Sequence, residues 1–439
     1  MNVAWDYRRG TAADDPRVTI DARFRHGAHF ADPAFVTDVV APSFGLAPTP
    51  WEVVHVSYVP SRELRVVYRF AGPPEQLVRV DFTPPGEADQ VAARARRRAD
   101  DAACVMRLAG SDAVAWLVPE DERLPGLRRF LDDPAAAISR ALGMAPAGAP
   151  EVSVLSYVPR RRAVLRIDGA VPMIAKLGRM RDEGDCHARQ VALARRADRG
   201  FRMPDPLGYD PVVGVRVESL IDGTSVEHLL DSVDLDALLG GVATAIVALH
   251  AEDPVPEAGA IGHHDLLEHL DTKTLGRLTA TLPDLARRIA ALAERLHETA
   301  PGATGRTVLL HGDLHPANLV IANDGPVFID LDNLATGPPE RDLGIFAGRL
   351  LLLGLKDGGR VAEISDVARR MPEFYADAGG TAIDEGTFGW YVAASILTRQ
   401  ISNGIRRLGP GLTAIAEGLL GVAEERLPHG PRAATLPSR

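Results

Sequence analysis

Hydrophobic and polar positions follow two rhythms along the chain. In residues 1–150 short apolar runs dominate: Val53–Ser57 and Leu64–Phe70 carry the β-branched and aromatic residues of strands. Glu87–Gly110, rich in Ala and Arg, predicts a helix. Met144-Ala-Pro-Ala-Gly-Ala-Pro150 breaks both rhythms and predicts a linker. From residue 223 onward apolar positions recur every three or four residues. Helices are expected at Val233–His250, Asp284–Thr299, Phe388–Ile405 and Leu412–Arg426. One β-rich island, residues 308–333, interrupts them. The pattern predicts an α+β chain in three parts: a cap over 1–145, a small β-rich lobe over 146–222 and a helical lobe over 223–439.

A motif recurs in the first half. Ser57-Tyr58-Val59-Pro60-Ser61-Arg62 resembles Ser156-Tyr157-Val158-Pro159-Arg160-Arg161. Each is followed by an apolar strand and then by a second one, Leu77–Val80 and Met173–Leu177. Either two hairpins are alike by chance, or a sheet unit is duplicated and its first copy is a structural cap. A rough alignment places Arg79 of the first copy where Lys176 stands in the second.

Composition narrows the functional classes. Hydrophobic residues are 46 % and charged residues 25 % of the chain, as in ordinary globular proteins. The net charge of −10 argues against a nucleic-acid partner, which needs a basic face. Two cysteines, Cys104 and Cys186, exclude a disulfide framework. Met1–Gly10 holds Asp6, Arg8 and Arg9 and no apolar run, so no signal peptide is expected. The best uncharged stretch, Val242–Leu249, is far below the roughly 20 residues of a membrane span. A cytoplasmic monomer without a membrane partner is expected. Lysine occurs only at 176, 273 and 356, and the remaining basic residues are arginine. A lysine in an unusual place is therefore informative.

The island carries the chemistry. His311-Gly312-Asp313-Leu314-His315-Pro316-Ala317-Asn318 precedes the apolar run Leu319–Ala322, and Asn323-Asp324-Gly325-Pro326 leads into Val327-Phe328-Ile329-Asp330. Two apolar runs around Asn-Asp-Gly predict a hairpin. Its ends bring Asn318 and Asp330 together, and oxygens so presented suit Mg²⁺, which keeps waters and takes nucleotide phosphates as further ligands. Asp313, in a loop broken by Pro316, is placed to accept the proton of an attacking hydroxyl.

These residues resemble the catalytic core of the aminoglycoside phosphotransferase group, the protein-kinase-like small-molecule kinases. The resemblance covers residues 155–350 and implies a bilobal protein-kinase-like fold. It implies ATP as phosphoryl donor, Mg²⁺ bound by Asn318 and Asp330, and Asp313 as catalytic base. It further implies that His311 braces the loop and that Asp342, in Arg341-Asp342-Leu343, supports it. Lys176, inside the apolar strand Met173–Leu177, is the expected phosphate-binding cation, with Glu183 as the helical carboxylate that orients it. The adenine is expected against the backbone of Glu218, Ser219 and Leu220. No GxGxxG loop is present; Pro159-Arg160-Arg161-Arg162 stands in its place, either touching phosphates or as a solvated turn.

For the acceptor, Asp332 and the helix from Phe388 are candidates. Trp390 is either core or a stacking platform, and Gln400 and Asn403 offer amides. The duplicated cap resembles the actinobacterial maltokinase and glucosamine kinase branch. The expected reaction is glucosamine to glucosamine 6-phosphate. The alternatives are an aminoglycoside O-phosphotransferase, a maltokinase, and a pseudokinase or sugar-binding regulator.

Overall fold

The protein is described by a computed structural model that covers residues 5–427 except 49, 147, 197–199, 256–257, 303–305 and 358–359. The chain divides into two compact units. One contains Met1–Ala197, Pro204–Asp222 and Ile405–Gly411; the other contains Asp198–Met203, Gly223–Gly404 and Leu412–Arg439. The expected cap and small lobe thus lie within one unit.

The first unit is built on a repeated pattern. Strands β1 (Trp51–Val59), β2 (Glu63–Phe70) and β3 (Gln76–Phe82) lead into helix α1 (Ala88–Arg96), then β4 (Val105–Arg107) and β5 (Ala113–Leu117). After helices α2 (Pro125–Asp132) and α3 (Pro134–Leu142) the order recurs. Strands β6 (Glu151–Val158), β7 (Arg162–Asp168) and β8 (Met173–Leu177) precede α4 (Met180–Ala194), β9 (Pro206–Asp210) and β10 (Val215–Ser219). Both sheets are antiparallel, and their strand orders correspond: β1-β2-β3-β5-β4 and β6-β7-β8-β10-β9.

The recurring motif is the first hairpin turn of each sheet. Val59 pairs with Glu63, and Val158 with Arg162. Ser61 and Arg160 both take left-handed backbone, at φ 61° and 65°. Such a conformation is unfavourable for these residues and needs support from its surroundings. Each turn is latched by an aspartate far upstream. Asp21 N donates to Tyr58 Oη at 2.9 Å, and Ser61 N donates to Asp21 Oδ2 at 3.0 Å. In the second copy Tyr157 Oη donates to Asp121 Oδ2 at 2.6 Å, and Arg160 N donates to the same oxygen at 2.7 Å. The duplication therefore reaches back to the aspartates before each sheet.

The register corrects the alignment of Lys176. Counting inward from the turns, Arg65↔Asp81 and Val164↔Lys176 are equivalent pairs. Asp81, and not Arg79, occupies the place of the lysine. The two copies differ because β2 and β3 are longer than β7 and β8, which the motif spacing does not show.

The second sheet buries its face against α2 and α3. Leu127, Phe130, Ile138, Leu165, Ala175 and Val217 are at most 1 % exposed and share one core. Fully burying such a side chain contributes about 1.5–3 kcal/mol. β9 approaches α3 so closely that a Cβ at Gly208 would come within 2.0 Å of Ala141 O, so only glycine fits there. The predicted helix Glu87–Gly110 is shorter in the structure. It ends at Arg96, where Asp100 and Asp101 N–H groups turn to the buried Glu120 carboxylate at 3.1 and 3.2 Å.

The second unit is mostly helical. α5 (Leu235–His250) starts at Asp234, whose carboxylate caps Ala237 N at 3.1 Å. The short strand β11 (Thr224–Ser225) precedes it in the chain. α6 (His263–His269) and α7 (Leu275–Thr281) are joined by a π-helical turn, Leu270–Thr274, and α8 (Ala286–Glu298) follows. The island forms β12 (Val308–Leu310), β13 (Leu319–Ala322), β14 (Gly325–Phe328) and β15 (Ala335–Gly337). β11-β13-β14 make one sheet, and β12 pairs with β15. α9 (Pro339–Asp357), α10 (Glu385–Ser395) and α11 (Leu412–Arg426) complete the core. α10 continues through a second π-helical turn, Ile396–Ile401. Among the described residues no helix is long and apolar enough to cross a membrane.

Candidate active site

In the second unit the hairpin closes tightly: Ala322 pairs with Gly325 around Asn323-Asp324, and Leu319 pairs with Phe328. Ile329 N donates to Asn318 O at 2.9 Å, which holds the start of β13 beside the end of β14. Asn318 is 1 % exposed, and its Nδ2 donates to the backbone oxygen of Asp313 at 3.0 Å. Its Oδ1 takes no hydrogen bond among the described residues. Asp330 adopts left-handed backbone, φ 60° and ψ 47°, an unfavourable state that re-aims the carboxylate as the chain leaves the strand. Asp313, Asn318 and Asp330 are thus brought together.

The loop around Asp313 is fixed from below. Asp342 is fully buried, and its two oxygens accept from His311 N at 2.7 Å and Gly312 N at 3.0 Å. Burial works against ionisation of Asp342, but hydrogen bonding and charge from His250 hold its carboxyl below the usual range. Gly312 has φ 79°, and a Cβ there would lie 2.0 Å from Asn333 O, so this step of the loop requires glycine. His311 Nε2 meets Ile329 O at 3.0 Å, tying the loop to the residue before Asp330.

Asp313 pairs with Arg399, whose Nη1 meets Oδ1 and whose Nη2 donates to Gly312 O at 3.1 Å. Burial alone would raise the Asp313 carboxyl. The Arg399 guanidinium outweighs it, with His315 and His311 adding to it and Asp330 opposing, so the group lies below the ordinary carboxylate range. His315, pushed down to about 3 mainly by burial, is neutral near pH 7. Arg349, 8 % exposed, pairs with Glu227 at 3.4 Å.

In the first unit, Lys176 and Arg216 are register partners on β8 and β10, so their side chains leave the same face. Lys176 Nζ meets Glu218 Oε1 at 2.9 Å, and Glu183 Oε2 accepts from Arg216 Nε at 2.6 Å. All four residues are under 10 % exposed. Glu218, on the strand, reaches the lysine directly, and Glu183 on α4, the carboxylate expected from sequence spacing, meets Arg216 beside it. Ser219 N donates to Asp205 O at 3.0 Å and Leu220 N to Pro172 O at 3.3 Å. The N–H groups of Ser219 and Leu220 are thus engaged within the first unit. The turn at Arg160 is neither free nor glycine-rich: besides the Asp121 latch, Arg160 Nε meets Glu122 Oε1 at 3.1 Å.

The acceptor candidates fare less well. Trp390 is 1 % exposed, and its Nε1 donates to Leu296 O at 2.9 Å, so it is core. Gln400 is 3 % exposed, with Nε2 on Ser395 Oγ at 3.3 Å and Oε1 buried without a partner. Every residue from Phe388 to Thr398 is buried, as is Gln400, which removes Trp390 and Gln400 from any acceptor surface. Asn403 is exposed, and Asp332 is half-buried in the turn after Asp330. Sequence reasoning missed the role of Arg399, although it is the only charged residue between Glu385 and Arg406. A cavity of about 790 Å³ lies elsewhere in the first unit, lined by Trp5, Tyr7, His29, Trp51 and Glu52 among others and by none of the residues above.

The fold is α+β and protein-kinase-like, with antiparallel sheets in one unit and helices dominating the other. Residues 159–372, just under half of the chain, match the phosphotransferase enzyme family. Among solved structures the chain is similar to an aminoglycoside phosphotransferase from Streptomyces rimosus. The identity is 20 %, with 62 % of this chain and 98 % of that one covered, at a TM-score of 0.43. It is also similar to a choline/ethanolamine kinase family protein from Mesorhizobium loti, at 17 % identity, 68 % and 94 % coverage and a TM-score of 0.45. No curated protein matches the chain in sequence.

Proposed function

We propose that this protein transfers the γ-phosphoryl group of ATP to a hydroxyl of a small molecule. One observation carries the reading: the β13–β14 hairpin sets Asn318 beside the exit of β14 at Asp330, with Asp313 tied to Asn318 by a hydrogen bond. The family match over residues 159–372 supports the same class.

The donor set fits Mg²⁺. Asn318 directs its amide nitrogen to Asp313 O and so keeps its oxygen available, and Asp330 adds a carboxylate. Among the described residues no group of three or more His, Cys, Asp and Glu forms a metal cage. One amide oxygen and one carboxylate suit an ion that completes its shell with water and phosphate oxygens. When bound, Mg²⁺ would neutralise charge on the transferring phosphoryl group.

The protein's own residues do the rest. Asp313, ionised near neutral pH, orients the acceptor hydroxyl and takes its proton as the oxygen attacks phosphorus and the bond to the ADP oxygen breaks. A carboxylate held below its usual range is a weak base, so positioning outweighs proton removal until late in the transfer. Lys176, held by Glu218, is the proposed phosphate cation. Glu183 and Arg216 fix the strands around it.

The expectation of glucosamine draws on the duplicated cap and on Asp332, Trp390, Gln400 and Asn403 as acceptor contacts. With Trp390 and Gln400 in the core, the acceptor is better stated as a small hydroxyl compound. The test is phosphorus NMR of the products formed from Mg-ATP and an acceptor library. A new phosphate ester that disappears in Asp330→Ala is expected. Binding of an acceptor without any ester in the wild type would favour the sugar-binding regulator instead.

A further inference from the structure

Positive charge gathers around Arg399, the partner of Asp313, in a chain whose net charge is −10. His269, Lys273 and Arg277 recur every four residues along α6, the π-helical turn and α7, which places them on one stripe. Arg277 Nη1 donates to Ser402 Oγ at 3.1 Å, and Ser402 lies three residues after Arg399, one turn along the same face. The two π-helical turns, Leu270–Thr274 and Ile396–Ile401, pack against each other, and each carries one cation, Lys273 or Arg399. Such turns often mark functional sites.

Arg341, at the start of α9, comes from a third element. It is 8 % exposed; Nη1 donates to Gly262 O at 3.1 Å, and Nε is buried without a partner. No carboxylate among the described residues forms an ion pair with it. A buried guanidinium without a counter-ion is unfavourable and is usually neutralised by something. After burial, the charge of Arg399 contributes most to holding Arg341 below its ordinary range. His269 is likewise held down, first by burial and then by Lys273, Arg399, Arg277 and Arg341. The carboxylates nearby are committed: Asp313 to Arg399, Asp265 to Gly262 N at 2.7 Å, and Asp342 to the His311 and Gly312 amides. Lys273 is exposed and forms no ion pair among the described residues.

We infer that the compound phosphorylated at Asp313 carries an anionic group, a carboxylate or a phosphate, which Arg341, Lys273 and Arg277 hold while its hydroxyl faces the base. This rests on the phosphotransferase reading and reverses the charge of the amino sugar expected from sequence. Arg399 is a positioning residue here, because it already holds Asp313.

The test uses four acceptors on one ring: glucose, glucuronate, glucose 6-phosphate and glucosamine. ADP release is measured with Mg-ATP and the full-length chain. Glucuronate or glucose 6-phosphate should exceed glucose by about tenfold or more in kcat/KM, with glucosamine below glucose. The better of the two anions separates carboxylate from phosphate. Lys273→Gln, at an exposed position, should remove most of that advantage through KM. Equal rates for all four, or a preference for glucosamine, would overturn the inference.

A second arm does not depend on turnover. Sodium sulfate stabilises folded proteins in general, so the readout is the excess of its effect on the melting temperature over sodium chloride at equal ionic strength, which should be clearly smaller in Lys273→Gln and Arg341→Gln than in the wild type. An equal excess in the wild type and both variants contradicts the anion site. An excess that the variants lose, with no ester from any acceptor, would instead count against the phosphotransferase reading alone.

Discussion

The two sheets of the first unit share strand order, turn conformation and aspartate latch, yet at one register position they carry opposite charges. Where β8 presents Lys176, β3 presents Asp81. Around Asp81 the first copy gathers Arg65 at 2.8 Å and Arg79 at 3.2 Å. Arg79, fully buried, reaches on to Asp121 and Glu122 and lies 3.9 Å over the ring of Trp116. In the first copy two arginines thus surround one carboxylate at this position. In the second copy Lys176, Arg216, Glu183 and Glu218 form a compact set whose lysine is 8 % exposed. One fold unit can therefore serve as structure or as a proposed phosphate site, according to which charge sits at a single inward-facing position. The latch adds a link: Asp121, which immediately precedes Glu122 and accepts from Tyr157, holds the hairpin turn of the second copy while pairing with Arg79 of the first.

The comparison breaks most readily at Lys176. Lys176→Met should lower kcat/KM for Mg-ATP by about 10²–10³-fold. Asp81→Asn, the mirrored change, should leave it within about twofold. Steady-state ADP release on folded protein checks both, and an equal loss in the two variants would erase the asymmetry. Arg79→Met should remove the buried charge partner of Asp121 and one of the two arginines on Asp81, and destabilise the first unit by about 3–5 kcal/mol in a urea titration. Its folded fraction should keep its ATP kinetics.

The latches give a smaller, paired effect. Asp121→Ala should destabilise by about 1–3 kcal/mol, because it leaves the buried Tyr157 hydroxyl unpaired; Asp21→Ala should cost less, because Asp21 N keeps its bond to Tyr58 and the Ser61 donors it frees are exposed. Only Asp121→Ala should also raise KM for ATP. Equal nucleotide kinetics in the two variants would show that the β6–β7 turn has no part in binding.

The smallest expected change lies outside the repeat. Asp313 is held below the ordinary carboxylate range, so it stays ionised as pH falls, and activity should drop only under more acidic conditions than an unperturbed carboxylate would require. In Arg399→Gln burial acts on Asp313 without that opposing charge, and the acid limb of kcat/KM should move up by about one pH unit. A pH profile that does not move would remove Arg399 from the account.

Much of this was legible in the sequence, for identifiable reasons. Asn323-Asp324-Gly325 announced the hairpin because few residues satisfy so tight a turn, and the hairpin then fixed where Asn318 and Asp330 had to lie. The Ser-Tyr-Val-Pro motif marked the repeat because both copies need the same tyrosine hydroxyl at the same turn. The latching aspartates were hidden: they precede their tyrosines by 37 and 36 residues, and no local rule links them. Lys176 was aligned two residues off, with Arg79 in place of Asp81, because strand length is invisible until the pairing is known. Trp390 and Gln400 read as a polar-aromatic face, whereas both side chains are enclosed in the core. Arg399 stood alone among apolar neighbours and was the signal left unused.

The most direct measurement compares Asp313→Asn with the wild type in two assays, single-turnover phosphoryl transfer and equilibrium binding of an ATP analogue with Mg²⁺. A fall in the transfer rate by about 10²–10⁴-fold with nucleotide affinity unchanged is the predicted result. Transfer at the wild-type rate, or a loss of nucleotide affinity that matches the loss of rate, would contradict Asp313 as the group that faces the acceptor hydroxyl.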